Sequence, residues 1–543
     1  MTILIRYWHT LRHLRPIQIY SRVRSLIWKP SVRSDVTEYA LRPRGKWNLP
    51  ARRTVRMTGP DTFIFLNKKG SLSEYGWDSS KQDKLWRYNQ HYFDDLNAEG
   101  AEERTQWHLD LLNNWILRNA LFKGTGWEPY PTSLRLVNWI KWTLRGNELP
   151  IFCLQNMVVQ ARWLEKNIEW HLLGNHLFAN AKALIFTGIY FCGEEAERWL
   201  DQGLQILKRE ISEQILSDGG HFERSTMYHA LILEDLLDLC NMLECYNAAL
   251  PKQVMNRQKH LQKSASVMLT WLDSMCHADG EIGFFNDAAF DIAPSCKELR
   301  NYALLLDIES SFTHGTSIDL SDSGYVRLES ESAVALLDIA PIGPDYLPGH
   351  AHADTLSFEL SIYDKRLLVN TGVSSYWEPV DRLYQRSTSA HNTVNVSNEN
   401  SSEIWGNFRV ARRARPFSKE VELTADPLVV RCSHDGYKRL REKTIHTRKW
   451  ELQRRNLTVE DTVNVPSSKA QARFYFHPEV ELSVDYDHGV ALLPGIGEVN
   501  WFVEVGIAWH DVSKWHPEFG KSVQNKCLVV DLVDGKSKVC WAW

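Results

Sequence analysis

No apolar run in this sequence approaches the roughly 20 residues that a membrane-spanning helix needs. No strong charge of one sign is present either, since 63 lysine and arginine residues face 67 aspartate and glutamate residues and the formal net charge is −4. A chain with this balance has no overall field that attracts nucleic acid or an anionic polymer. We therefore expect a globular protein without a nucleic-acid partner, in which any site for a polyanion is local.

Cysteine is scarce and forms no recognisable motif. The nine cysteines are scattered along the chain, and none stands in a C-x-x-C pair. This pattern predicts buried thiols in a reducing compartment and argues against a disulfide framework or a zinc knuckle. The first residues show no apolar core followed by a small-residue cleavage site. We expect the protein in the cytoplasm, where it could associate with the inner membrane. The periplasm is the alternative location.

The start of the chain is basic and amphipathic. Residues 1–34 contain seven arginine and lysine residues and no acid, interleaved with leucine, isoleucine, tyrosine and tryptophan. Such a segment could make peripheral contact with an anionic membrane surface. The interpretation that we favour is a solvated basic helix that covers the next domain.

The apolar periodicity changes once along the 543 residues, which are enough for at least two domains. Apolar residues recur at helical spacing from about residue 102 to 306, and alternation typical of antiparallel strands follows after about residue 323. No literal repeat supports a solenoid, and a closed or partly closed ring of helix pairs fits as well. We predict an α+β multidomain protein with a basic arm and lead-in segment (1–100), a helical domain (101–320) and a β-sandwich domain (321–543).

Two histidines one residue apart stand before a predicted strand, in Gly349-His350-Ala351-His352-Ala353-Asp354. Residues i and i+2 of an extended chain face the same way, so both imidazoles could reach one pocket. One would then serve as a proton carrier and the other as a metal ligand. A solvated pair of loop histidines is the alternative.

A second polar group, Asn175-His176, follows the break at Gly174 and precedes an apolar helix. An asparagine in this place often caps the helix. Capping does not explain the histidine beside it, and an amide next to an imidazole can bind a substrate carboxylate.

A third polar group follows the predicted turn at Asp218-Gly219-Gly220. It contains Glu223, Arg224, Tyr228 and His229 and leads into another helix. A tyrosine at a helix start is usually a packing residue. The charged and imidazole groups around this one favour a place in a substrate site.

A fourth group, Arg382 to Asn392, places two arginines before His391. Arg386 could bind a carboxylate or a sulfate with two hydrogen bonds. An ordinary ion pair is the alternative for this arginine.

Four segments, N-H-L-F-A-N, D-G-G-H-F-E-R-S-x-x-Y-H, G-H-x-H-A-D-x-L-S-F and S-T-S-A-H-N-T-V, occur in this order. Together they resemble the heparinase II/III family of polysaccharide lyases and its alginate-lyase relatives, over nearly the whole chain. The opening residues are similar to members associated with bacterial surface-polysaccharide gene clusters. The resemblance implies an N-terminal α/α toroid, which is an incomplete helical barrel, and a C-terminal antiparallel β-sandwich.

The resemblance also implies an acidic polysaccharide substrate and a β-elimination. The enzyme would remove the C5 proton of a uronate, expel the C4-linked sugar and leave an unsaturated uronate end. Asn175 and His176 would neutralise the carboxylate, and Tyr228 and His350 would act as base and acid in an order that depends on the C5 epimer. Glu223, Arg224, His229 and Arg386 are the expected substrate contacts.

A structural zinc is the one cofactor that the resemblance implies. His352 and His391 match two of its ligands, and Asn370 stands where the family pattern has an aspartate. An amide oxygen is a poorer zinc ligand than a carboxylate, so metal binding would need Asp354 or another residue as substitute.

Two other functions are compatible with the same residues. One is a non-catalytic glycan-binding protein of surface-polysaccharide assembly. The other is a glycoside hydrolase, which needs two carboxylates, for which Asp218 and Glu223 are candidates.

Overall fold

The computed structural model describes residues 2–28, 30–36, 39–465, 469–485 and 487–543. Its α-helices over these residues are α1 (Thr2–Leu11), α2 (Pro16–Ile27), α3 (Leu72–Tyr75), α4 (Lys84–Tyr92), α5 (Thr105–Arg118), α6 (Pro129–Leu144), α7 (Ile151–Lys166), α8 (Gly174–Tyr190), α9 (Glu194–Gln214), α10 (Thr226–Cys245), α11 (Lys252–Met255), α12 (Gln258–Ser274), α13 (Cys296–Leu304) and α14 (Pro379–Gln385).

The strands over the same residues are β1 (Ala40–Leu41), β2 (Met57–Gly59), β3 (Thr62–Phe65), β4 (Lys68–Ser71), β5 (Phe191–Cys192), β6 (Ile318–Leu320), β7 (Tyr325–Glu329), β8 (Ala333–Asp338), β9 (Phe358–Ile362), β10 (Lys365–Leu368), β11 (Val394–Val396), β12 (Ile404–Trp405), β13 (Arg409–Val410), β14 (Pro416–Glu422), β15 (Leu428–His434), β16 (His446–Gln453), β17 (Asn456–Val463), β18 (Ala470–Tyr475), β19 (Glu481–Asp485), β20 (His488–Leu493), β21 (Gly497–Val505), β22 (Ile507–Trp515), β23 (Val523–Asp531) and β24 (Lys536–Ala542).

The chain changes from helices to strands between Leu304 and Ile318, beside the boundary predicted from the periodicity. Short elements cross this division in both directions. The small sheet β2-β3-β4 precedes the main helices, and α14 lies among the strands. The predicted order of a helical part followed by an antiparallel part is confirmed.

Helix α8 forms the centre of the helical part. Every residue of α8 except His176 is buried, and the helix packs between α6 and α9. The contact with α9 is close because Gly188 has no side chain, and a Cβ there would lie 2.6 Å from the carbonyl oxygen of Ala196. A helix this deeply buried fixes the position of its first turn, where Asn175 lies.

Three antiparallel sheets build the sandwich. Their strand orders are β10-β9-β8-β7-β6, β11-β18-β23-β22 and β14-β15-β16-β17-β24-β21-β20-β19. Residues of β16 and β17 alternate between buried and half-buried, as expected for strands with one face on a core. Phe358, Phe474 and Trp541 come one from each sheet and pack together in that core.

Helices α1 and α2 lie across loops of the sandwich part. Arg6 of α1 pairs with Glu403 at 2.9 Å, and the Gln18 side chain of α2 donates a hydrogen bond to the carbonyl oxygen of Tyr346 at 3.2 Å. Among the described residues, no helix combines the length and the apolar character that crossing a bilayer requires.

Candidate active site

A cavity of about 620 Å³ lies between the helical part and the sandwich part. Asn175, His176, Glu223 and Tyr228 line it from the helices, and His350 lines it from the sandwich part. Five residues that the sequence singled out from three separate segments therefore share one cavity.

The turn before α8 places Asn175 in the cavity wall. Leu173 and Gly174 both have positive φ angles, 63° and 55°, and the helix begins immediately after Leu173. No side chain caps this helix start, so the capping interpretation of Asn175 does not hold. The amide side chain lies beside the Tyr130 hydroxyl at the cavity, in the first turn of the helix, where backbone N–H groups favour a negative charge.

Glu223 is buried, with 2% of its surface exposed, and it lines the cavity. One of its carboxyl oxygens lies 3.9 Å from Nε2 of His350, and the backbone N–H of Asn175 faces the same carboxyl group. Burial raises the pKa of Glu223, and the imidazoles of His350 and His176 oppose this rise only in part. A raised pKa makes the protonated form of this carboxyl, which can donate a hydrogen bond, more accessible than it is for an exposed glutamate.

Tyr228 and His350 make one of the contacts between the two parts of the molecule. Their ring centroids are 3.9 Å apart, and the Tyr228 hydroxyl lies 3.1 Å from that of Tyr376. Tyr228 is in the first turn of α10, where the Ser225 hydroxyl caps the helix by accepting from the Tyr228 N–H. Burial, with Tyr376 and Asp287 nearby, raises the pKa of Tyr228 well above its ordinary value, so the phenol keeps its proton.

Asp287 organises the site, although no motif in the sequence marks it as a site residue. One carboxylate oxygen accepts from Nδ1 of His350 at 2.8 Å, and the other accepts from Nε2 of His352 at 2.8 Å. Arg382 forms a two-point ion pair with the same carboxylate. Burial alone would raise the pKa of Asp287, but Arg382 and the two imidazoles hold it well below its usual range.

The ionised Asp287 fixes which nitrogen of His350 carries the proton. A carboxylate only accepts hydrogen bonds, so Nδ1 of His350 must donate. Nε2 then keeps its lone pair, and it is the nitrogen that lies 3.9 Å from Glu223 at the cavity wall. His350 is thereby prepared to accept a proton.

His352 turns away from the cavity, so the two histidines do not open into one pocket. Its Nδ1 lies 3.1 Å from Nε2 of His391, and ligand atoms of His352, His391 and Asp354 all lie within 4.8 Å of one another. The three residues are buried. Asp354 is the carboxylate that the sequence left open as a substitute ligand.

This cluster fits a metal ion on hydrogen-bonding grounds. Nδ1 of His391 donates to the Ser387 carbonyl at 2.7 Å, and Nε2 of His352 donates to Asp287. Burial lowers the pKa of His352 to about 3 and also lowers that of His391, so each imidazole carries one proton. The two remaining lone pairs face each other across 3.1 Å, an arrangement that a cation between them and Asp354 would satisfy.

Asn370 lies outside this cluster of ligand atoms. Its side-chain oxygen accepts from the Asn392 N–H at 3.1 Å, and its side-chain nitrogen donates to the Phe284 carbonyl at 2.9 Å. Both ends of the amide are therefore used to hold neighbouring backbone.

Three predicted substrate contacts, Arg224, His229 and Arg386, do not line the cavity. The Arg386 guanidinium is buried and donates to the backbone carbonyls of Ala351, Gly406 and Asn407, and Nε2 of His229 lies 2.9 Å from the Met268 carbonyl oxygen. The predicted substrate contacts at these three positions are therefore wrong. The sequence cannot distinguish the two cases, because a polar side chain after a turn can face either a ligand or backbone groups that lack a partner.

Strained backbone accompanies three of the site residues. Leu173, Arg224 and Asn286 have φ angles of 63°, 59° and 58°, and each is within two residues of Asn175, Glu223 or Asp287. Non-glycine residues in this region cost on the order of 1–3 kcal/mol each and persist where the surroundings enforce them. Arg224 therefore has a positioning role, since its side chain donates to the Ser323 carbonyl at 2.8 Å beside the strained turn.

Two family models match the chain, the Heparinase II/III N-terminus over residues 143–305 and the Heparinase II/III-like C-terminal model over residues 313–543. The heparin-sulfate lyase of Bacteroides stercoris is 23% identical in an alignment of length 272 that covers 46% of this chain and 41% of that protein. The FtsZ-localized protein C of Caulobacter vibrioides is 24% identical in an alignment of length 348 that covers 60% of this chain and 57% of that protein. The matched regions thus span less than two thirds of these relatives.

A solved structure titled heparinase III has a similar fold. It superimposes with a TM-score of 0.67 at 15% sequence identity, over 97% of this chain and 84% of that one. Likeness at this identity concerns the fold, and it agrees with the helical toroid and β-sandwich that the sequence predicts.

Proposed function

We propose, from the premise that this chain belongs to the heparinase II/III-like family, that it is a polysaccharide lyase that cleaves a uronate-containing glycan by β-elimination. One observation carries the proposal. The Asn175 amide, the buried Glu223 carboxyl, the His350 imidazole and the protonated Tyr228 phenol line the same cavity. These are the groups that the reaction requires.

The first requirement is to make the C5 proton acidic. The uronate carboxylate opposes proton removal because charge develops on it as the enolate forms. The Asn175 amide and the protonated Glu223 carboxyl would donate hydrogen bonds to its two oxygens. The Asn175 amide is uncharged, and Glu223 would be uncharged in its protonated form, so both would stabilise the additional charge without an ion pair that must first be broken.

The second requirement is a base and an acid on one sugar. Nε2 of His350 takes the C5 proton, the C4=C5 double bond forms, and the C4–O bond breaks as the Tyr228 hydroxyl gives its proton to the leaving oxygen. Tyr228 is assigned as acid because its burial favours the phenol. The imidazolium, held by Asp287, then returns a proton to the phenolate beside it, and the site is restored.

A divalent cation, zinc by its ligand type, would be held by His352, His391 and Asp354. Such an ion would have a structural role. It would fix the loop that carries both histidines, and through Asp287 it would keep the orientation of His350.

The charges around the cavity favour a glycan with little or no sulfate. Five of the seven lysine and arginine residues that line it already have carboxylate partners, namely Arg53 with Glu234, Arg56 with Asp291, Lys84 with Glu128, Lys141 with Asp238 and Lys182 with Asp235. Sulfate groups would have to compete with these pairs. We expect an unsulfated uronate backbone to be cleaved faster than its sulfated form, and the reverse order would contradict this assignment.

Ultraviolet absorbance of the product tests the reaction class. The protein would be incubated with a panel of uronate polymers, sulfated and unsulfated, and absorbance of an unsaturated uronate end would be recorded. A lyase produces this absorbance, whereas reducing ends without it would indicate a hydrolase.

The alternative function is glycan binding without catalysis, which needs the same cavity but neither proton-transfer group. Under this alternative the same cavity holds a glycan without cleaving it. If the wild-type protein binds an oligouronate saturably but produces no new chain ends, the result would favour the binding role.

A further inference from the structure

The first two helices expose an unusual concentration of large apolar side chains. They carry twelve of the 36 large apolar side chains that are exposed in the described chain, although they are a small part of it. Leu4 and Trp8 of α1 are 71% and 66% exposed, and Leu26 and Ile27 of α2 are 84% and 81% exposed. Exposed apolar groups gathered in this way mark an interaction surface.

Only the opposite side of these helices is attached to the molecule. The Trp405 indole donates to the Thr10 hydroxyl at 3.1 Å, and the Tyr7 ring packs against Trp405 with centroids 4.8 Å apart. Leu4 and Trp8 are one helical turn apart and lie together on the free face of α1. On α2, Ile19, Val23 and Ile27 are spaced in the same way and are all exposed, as is Leu26. We define these six residues as the outer face.

The charge next to the outer face is positive. Residues 1–34 contain seven lysine and arginine residues and no acid, so the segment has no carboxylate of its own to neutralise them. Arg12, Arg22 and Arg24 are exposed beside the outer face, and the Arg24 guanidinium lies over the Trp28 ring. Apolar side chains surrounded by arginines match the two components of a bilayer surface, acyl chains and anionic headgroups.

We propose that the outer face of α1 and α2 docks this protein on the surface of an anionic phospholipid membrane. The opposite side of the helices contributes Thr10, Leu14 and Gln18 to the cavity wall. Docking would therefore place α1 and α2 between the bilayer and the cavity. The outer face is separate from the catalytic groups, so membrane docking does not depend on the proposed reaction.

Vesicle co-sedimentation of the full chain tests the proposal. Wild type should bind vesicles that contain phosphatidylglycerol and should bind vesicles of phosphatidylcholine alone much more weakly. Leu4→Glu and Leu26→Glu together should weaken binding by about tenfold or more, since each removes an inserted apolar side chain. Leu117→Glu and Val380→Glu, at positions that are 73% and 80% exposed elsewhere, are the matched controls and should bind as wild type does.

The charge component has its own variant. Arg12→Glu with Arg24→Glu should reduce binding to phosphatidylglycerol vesicles and remove its dependence on salt. Light scattering of the same proteins without vesicles measures whether the chain forms a dimer, which is the competing explanation for an apolar surface. If wild type forms a dimer that Leu4→Glu dissociates, while no vesicles are bound, the outer face serves a second copy of the chain and the proposal is overturned. Equal loss of vesicle binding in the Leu117 and Val380 controls would also overturn it.

Discussion

Asp287 lies between the cavity wall on one side and the buried cluster of His352, His391 and Asp354 on the other. Each side contains a histidine that is bound to Asp287, but the two histidines have different surroundings. His350 and His352 each donate one N–H to this carboxylate. The second nitrogen of His350 faces the cavity, whereas that of His352 faces His391 in a fully enclosed place. The role of each histidine is therefore determined by what lies beyond its free lone pair, and one residue of separation in sequence is enough to change it.

Asp287→Asn removes the group that the two regions share and should have the largest effect. Arg382 would be left buried without its counter-ion, which costs about 3–5 kcal/mol of unfolding free energy. Turnover should fall by about a hundredfold to ten-thousandfold, because Nδ1 of His350 loses its fixed acceptor. Urea unfolding and product absorbance measure the two effects, and a stable variant with normal turnover would contradict the role of Asp287.

Changes on the cavity side alone should affect turnover without a matching loss of stability. His350→Ala and Tyr228→Phe should each lower turnover by about a hundredfold to ten-thousandfold, since each removes a proton-transfer group. His260→Ala, at an exposed position on α12, is the control. Retained turnover in both cavity variants, with the melting temperature unchanged, would refute the assignment of acid and base.

Two variants of Glu223 distinguish between a neutral hydrogen-bond donor and a charged carboxylate at this position. Glu223→Ala should lower turnover by about a hundredfold, whereas Glu223→Gln keeps an N–H donor and should stay within about tenfold of wild type. If Gln is as inactive as Ala, the ionised carboxylate is needed and the neutral-donor assignment is wrong.

The raised pKa of Glu223 has a consequence for stability. A carboxyl whose pKa is higher in the folded state contributes stability that is present below its unfolded pKa and is lost as pH rises through its folded pKa. Wild type should therefore lose stability relative to Glu223→Gln as the pH rises above the ordinary glutamate range. Thermal unfolding of both proteins across pH measures the difference, and parallel curves would contradict the pKa shift.

Changes on the cluster side should act on metal content and stability more than on turnover. Zinc at a hundredfold excess over its Kd would add about 2.7 kcal/mol to the unfolding free energy. Asp354→Asn should lose bound zinc and this stabilisation, and Asn370→Ala should keep the zinc because Asn370 lies outside the ligand atoms. The zinc content of the purified variants measures this. If Asp354→Asn kept its zinc and Asn370→Ala lost it, Asn370 would be the third ligand.

Local patterns predicted the parts of the site that come from single segments. The change of period near residue 320 predicted the order of helices and sheets, because burial imposes different spacings on the two. The breaks and polar residues around Asn175, Tyr228 and His350 indicated a site, and the structure brings them to one cavity. Asp287 was missed because it is 63 residues from His350 and stands in a loop with only a neighbouring asparagine as a signal. Arg386 shows the converse, since its surroundings depend on loops that no local pattern describes.

Gly174 connects the two parts of the chain in a way that extends beyond this one protein. A Cβ at this position would lie 2.4 Å from a methyl group of Leu347 and 3.0 Å from a carboxyl oxygen of Glu223, and the φ angle of 55° favours glycine. A larger residue here would require a smaller one at 347, on the other domain. Among homologues, these two positions should therefore covary, and grafting a helical domain onto a foreign sandwich should fail unless both are exchanged together.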